Sequence, residues 1–144
     1  LAIGGGYTTA GREVAVANGD DREAWNFGID ANWGPFGLGV AFTEDNNGFN
    51  NDSDTTFVVV GADYVTGPYT FGVSYLKRED EQNATSNPTA AELETTRWTA
   101  GVGYEYGPGM SFRGSIAMIE GESGVANDDE FDGYQISIGT QIDF

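Results

Sequence analysis

Eight runs of this chain alternate apolar and polar residues one by one, and the last does so most cleanly. In "GYQISIGTQIDF" (133–144), Tyr134, Ile136, Ile138, Thr140, Ile142 and Phe144 share one parity. Gln135, Ser137, Gly139, Gln141 and Asp143 share the other. A period of two specifies a β-strand with two unlike faces. Two solvents suit such a strand. A soluble protein buries the Ile face in a core, whereas a membrane barrel turns it toward lipid and keeps the polar face inside.

The connections between the runs narrow the choice. Three are short and share one signature: "WGPFG" (33–37), "TGPYT" (66–70) and "YGPGM" (106–110). Proline fixes φ and glycine tolerates the reversed value, so Gly-Pro between two alternating runs makes a tight hairpin. The other connections are long, acidic and rich in Gly and Asn, near 10–24, 45–54, 79–94 and 120–132. Short and long alternate strictly. The strands are therefore expected at 1–9, 25–33, 36–44, 56–66, 69–78, 96–106, 110–119 and 133–144, antiparallel, with all short turns at one end. Most have the ~9–11 residues a tilted strand needs to cross a bilayer.

One parity of these strands is predominantly apolar, from Ile3 and Tyr7 to the Ile face of the last strand, with Lys77 charged at the loop end. Its aromatic residues fall into two groups. Trp33, Phe36, Tyr64, Tyr69, Tyr106, Phe112 and Phe144 lie toward the short turns; Tyr7, Trp25, Phe42, Tyr75, Trp98 and Tyr134 lie toward the long loops. Ile29, Leu38, Val60, Val73, Val102, Ile116 and Ile138 fill the middle. Two aromatic girdles around an aliphatic band match two membrane–water interfaces. The eight residues from Trp25 to Trp33 span roughly 19 Å along the normal at a 45° tilt, compatible with a ~25 Å band. The opposite parity is small and polar, with Asp30, Asp63, Arg78, Arg97, Glu105, Arg113 and Asp143 as its charges. A soluble β-sandwich would mix aromatics through its core and carry a Lys/Glu-rich outer face, which this chain lacks.

Composition excludes other classes. The 144 residues suit one domain, and no apolar run is long enough for a transmembrane helix. A net charge of −17 with only six basic residues leaves no patch for nucleic acid. With no Cys and no His, thiol catalysis, Ser-His-Asp triads and the usual zinc sites are absent, and no enzyme is expected. Leu1 stands directly inside a strand pattern, so a fragment or processed chain is expected.

Taken in order, the Gly-Pro turns, "VVVGADY" (58–64), "GVGYEYGPGMSFRGS" (101–115) and "IGTQIDF" (138–144) resemble the C-terminal half of the general porins of Gram-negative bacteria, closest to the alphaproteobacterial branch. The resemblance runs over essentially the whole chain. It implies an all-β transmembrane antiparallel β-barrel of sixteen strands, eight of them here. It further implies a homotrimer in the outer membrane that passes small hydrophilic solutes and ions passively. Phe144 matches the terminal aromatic read by the outer-membrane insertion machinery, with a periplasmic C-terminus. The loop that narrows such pores belongs to the other half and is not identifiable in this chain.

On this reading Asp30, Asp63, Arg78, Arg97, Glu105, Arg113 and Asp143 line the pore. They either set up a transverse field or stiffen the wall by ion pairing. Trp25, Trp33, Phe36, Phe42, Tyr64, Tyr69, Trp98, Tyr106, Phe112 and Phe144 form the girdles. The acidic loops "DNNGFNNDSD" (45–54) and "NDDEFD" (127–132) offer oxygen ligands of the type Ca²⁺ takes, without EF-hand spacing, and a solvated loop is the simpler account. Divalent cations bridging them to lipopolysaccharide are a further possibility. The acidic balance favours cations in the pore. The alternative is a complete eight-stranded barrel serving as anchor or adhesin, whose interior would be filled by side chains. Ten inward glycines (4, 6, 28, 37, 39, 61, 72, 101, 103 and 139) would fill it poorly. A secreted β-sandwich binding module is the third reading.

Overall fold

The computed structural model describes residues 1–11, 19–48, 53–81, 92–123 and 130–142. Eight strands follow one another: β1 (Ala2–Ala10), β2 (Arg22–Trp33), β3 (Phe36–Asp45), β4 (Thr55–Thr66), β5 (Tyr69–Asp80), β6 (Leu93–Gly107), β7 (Met110–Ser123) and β8 (Phe131–Ile142). They form one antiparallel sheet in sequence order, and among the described residues there is no helix. The sheet is open. Among the described residues β1 pairs only with β2, and β8 only with β7.

The pairing keeps each parity on one face across all eight strands. Ala31, Leu38, Ala62, Val73, Ala100, Ile116 and Ile136 form one continuous row through successive register pairs. That face is bare: Ile136 is 74% exposed, Ile138 73% and Val73 55%. Ala117, on the other face, is the one buried hydrophobic among the described residues. The chain exposes 9915 Å², where a compact monomer of 15.3 kDa exposes about 7,100 Å². No aqueous core holds this sheet together; the backbone ladder does.

The short turns behave as their sequences require, with one variation. Trp33 pairs with Phe36 and Thr66 with Tyr69, leaving Gly34-Pro35 and Gly67-Pro68 as two-residue loops. Gly34 and Gly67 take φ of 57° and 56°, the reversed first residue that matches strand twist. In the third turn Pro108 precedes Gly109, and the positive φ of 70° falls on the second central residue. A turn with that order splays its strands. The register shift between Glu105 and Gly107 absorbs the mismatch. The turns are also stitched sideways: the Val65 and Glu105 amides donate to the Pro35 and Pro68 carbonyls at 2.8 Å.

At the loop end the ladders run further than the alternation predicts. β6 begins at Leu93 rather than 96, and β7 continues to Ser123 rather than 119. Side-chain pairing sustains them past the apolar band: Lys77 bridges Glu79 at 2.7 Å and Glu94 at 3.0 Å. Beyond the Trp25–Phe42 contact, Arg22 clamps Asp45, its Nε lying 3.0 Å from both carboxylate oxygens. Asn46 bridges the same hairpin, accepting from the Glu23 amide at 2.8 Å and donating to the Asp21 carbonyl at 3.0 Å.

The hydrogen bond from Arg22 holds the Asp45 carboxyl below the usual carboxylate range, opposed by partial burial and helped by the Asn47 amide. A depressed folded pKa stabilises the hairpin at every pH above the ordinary carboxylate range. The gain disappears as pH falls through the lowered folded value. Arg22→Gln should therefore raise the Asp45 titration midpoint toward the ordinary range, read by NMR on the folded protein. An unmoved midpoint would refute the clamp.

Candidate functional site

The small, polar parity lines two troughs, which makes it the concave face. One trough, about 740 Å³, crosses β4 to β8 over Asp63, Thr70, Gly72, Gly101, Gly103, Glu105, Ser111, Arg113, Ser115, Ser137 and Gly139. The other, about 710 Å³, crosses β1 to β4 over Ala2, Gly4, Asn26, Gly28, Asp30, Gly39, Ala41, Thr43, Val59 and Gly61, and Ile3, Gly5, Phe27, Ile29, Val40 and Phe42 of the other parity also line it. Glycines make the floor: a row of Gly37, Asp63, Gly72, Gly101 and Ser115 crosses five strands with one charged side chain.

The acids lie on β2 and β4. Asp30 stands opposite Gly39 and accepts from Asn32 Nδ2 at 2.5 Å; Asp63 stands between Gly37 and Gly72. The missing Cβ of Gly37 gives these groups their place, because a Cβ there would collide with the Asp63 carboxylate and lie 2.9 Å from Asn32 Oδ1. The arginines lie on β5 to β7. Arg78 stacks over Phe57 at 5.3 Å and pairs with Asp80 at 2.7 Å. The Thr55 hydroxyl donates to that same carboxylate at 2.7 Å. Arg97 reaches across β7, over buried Ala117, and donates to Gln135 Oε1 on β8 at 2.9 Å. Its Nε is buried without a partner. Arg113 stands between Gly103 and Gly139, and Glu105 opposite Ser111.

The expected charges thus share one face but do not converge. Arg97 pairs with Ile119 and Arg113 with Gly103, about 20 Å apart along β7. Glu105 and Arg113 are diagonal neighbours without an ion pair. Asp143 and Phe144 lie outside the described residues. Arg78 pairs with Asp80 on its own strand, Arg97 is hydrogen-bonded to Gln135 on β8, and Arg113 makes neither contact with another described residue.

The rings expected as girdles form two bands on the outward face. Trp33, Phe36 and Tyr64 touch in series at 6.3 and 5.0 Å, and Tyr69, Tyr104 and Tyr106 at 4.9 and 6.5 Å. Phe112 stands opposite Tyr104. Toward the loops, Trp25 meets Phe42 at 4.9 Å and Trp98 meets Tyr75 at 4.7 Å.

Sequence reading missed that the polar parity turns apolar toward the loops. Val59, Leu76 and Ile119 flank Arg97 in one row, and Phe57 sits in the next. The same parity count would have found them. At the acidic loops, Asp45 is taken up by Arg22, and residues 49–52 and 124–129 lie outside the described set. Among the described residues no three acidic groups converge on a common metal position.

A sheet with a bare apolar face, aromatic bands at both ends and a glycine-floored polar concavity is the wall of a transmembrane β-barrel. A family model for Gram-negative porins matches residues 1–124, and the chain belongs to that family. The match ends before β8. No curated protein and no solved structure matches the chain. Membership sets the chain in the outer membrane in a porin role, with no catalytic site called for.

Two substitutions check this assignment of faces. Val73→Arg, mid-strand on the outward face, should cost about 2–4 kcal/mol of folding stability in lipid vesicles by denaturant titration, and Ser74→Arg on the concave face far less. Equal costs would contradict the assignment. Gln135→Ala, which removes the acceptor for Arg97, should cost about 0.5–1.5 kcal/mol in the same titration. A null effect would mean Arg97 does not brace β6 to β8.

Proposed function

We propose that these eight strands are half of the wall of a water-filled outer-membrane channel for passive diffusion of small hydrophilic solutes and ions. The observation that carries the reading is an open sheet whose concave face is floored by glycine. An eight-stranded barrel closed on itself has an interior filled by side chains. The ten inward glycines supply none, and the two troughs of about 740 and 710 Å³ remain. The anchor or adhesin alternative needs that filled interior.

In a sixteen-stranded barrel, the backbone edges of β1 and β8 would meet the strands of the other half, as hydrocarbon demands. The directions suit this: β1 runs toward the loops and β8 away from them, so either edge accepts an antiparallel neighbour. Asp30, Asp63, Arg78, Arg97, Glu105, Arg113 and Asp143 would line the pore. Acids on β2 and β4 and arginines on β5 to β7 would grade the potential around the wall. The −17 balance favours cations. The aromatic bands would sit at the two interfaces, with short turns and C-terminus periplasmic and acidic loops outside. Homotrimer formation, recognition of Phe144 by the insertion machinery and contact of the loops with lipopolysaccharide through Ca²⁺ complete the proposal.

The test is paired. The native polypeptide should have about twice the 15.3 kDa of this sequence, and in planar bilayers it should give conductance steps with a cation-directed reversal potential. A native mass near 15.3 kDa would favour a self-closed barrel. Absence of conductance would end the channel reading, and an anion-directed potential would overturn the selectivity.

A further inference from the structure

The trough over β4 to β8 holds three charges that the wall leaves unused. Arg22, Lys77 and Arg78 are each neutralised by a carboxylate, and Arg97 is tied to an amide. Arg113 is the one described basic residue whose side chain makes neither a hydrogen bond nor an ion pair with another described residue. The carboxylates of Asp63 and Glu105, in the same trough, likewise make none among the described residues. In a chain with 23 acids and six bases, an arginine whose side chain engages no described residue is unusual.

Its surroundings keep it open. Glycines face Arg113 on both neighbouring strands. A Cβ at Gly139 would meet nothing within 4 Å, and one at Gly103 only Thr70 at 3.7 Å. Along β7, the hydroxyls of Ser111 and Ser115 flank it. Across the floor, Asp63 looks over Gly72 and Gly101 toward Ser115. Three strand spacings separate β4 from β7, about 14 Å between backbones. The Asp and Arg side chains take up part of that width. One or two residues, at up to ~3.6 Å each, bridge what remains.

We propose that this trough is a subsite for small zwitterions, α-amino acids and dipeptides, with the solute carboxylate on Arg113 and its ammonium on Asp63 or Glu105. A simple anion would meet two carboxylates, and a simple cation would meet the guanidinium. A neutral polyol would find only hydroxyls. A dipolar solute complements both signs at once, and guanidinium–carboxylate recognition supplies the orientation. The subsite rests on the channel reading above.

The test is liposome swelling with the full-length porin, comparing glycylglycine with xylitol. Glycylglycine should enter roughly three- to tenfold faster, the preference that partly exposed charge pairs support. Arg113→Gln and Asp63→Asn should each bring the ratio toward one, and Arg113→Lys should keep part of the excess. A wild-type ratio of one, or a ratio that neither variant changes, overturns the subsite while leaving the channel standing. If neither solute enters, the channel reading falls. Line broadening of glycylglycine by the micelle-folded protein then decides the subsite. Broadening removed by Arg113→Gln supports it, and no broadening overturns it.

Discussion

Backbone amides and carbonyls have no water to bond in hydrocarbon, and each one left unpaired costs several kcal/mol. That constraint organises this molecule more than any side-chain contact. Its strands are joined by ladders that run without interruption from Ala2–Asp30 in the first pair to Met110–Ile142 in the last. Among the described residues the sole register shift sits at the Glu105–Gly107 bulge, next to a turn. A soluble domain would use its large side chains to build a core. Here most of them face outward and many stay exposed, because lipid takes the place of the core.

Relieving the side chains of that task frees the other face. Between the acids and Arg113 it is paved with glycine and serine, which no packing argument requires. Charges at the loop end are spent on one another: Arg22 with Asp45, Lys77 with two glutamates, Arg78 with Asp80. These exposed pairs contribute little stability apiece. They extend the hairpins beyond the band, where alternation no longer does.

Much of the architecture was legible because a strand writes its two faces into its sequence with a period of two. Gly34 and Gly67 announced their turns through the one conformation only glycine enters cheaply. The strand ends were less legible, since polar ladders held by Lys77 or by Arg22 look like loop. The bulge was invisible, although the reversed order of Pro108 and Gly109 is its cause. On the site, parity put the expected charges within the described residues on one face of the sheet. Phe57, Val59, Leu76 and Ile119 share that face toward the loops, where an apolar residue in a strand gives no chemical sign of facing a polar concavity.

By itself, then, the sequence determined which residues share a face, where the chain reverses and which end carries the acid. Those are local properties, set by backbone geometry over two to four residues. The tertiary structure alone decided that Arg97 lies along the wall to reach Gln135 while Arg113 stands free between two glycines. Both are arginines on the polar parity of adjacent strands. What separates them is the identity of neighbours one strand away, Leu76 and Ile119 beside one and Gly103 and Gly139 beside the other. Register fixes those neighbours, and register exists only once the strands have paired.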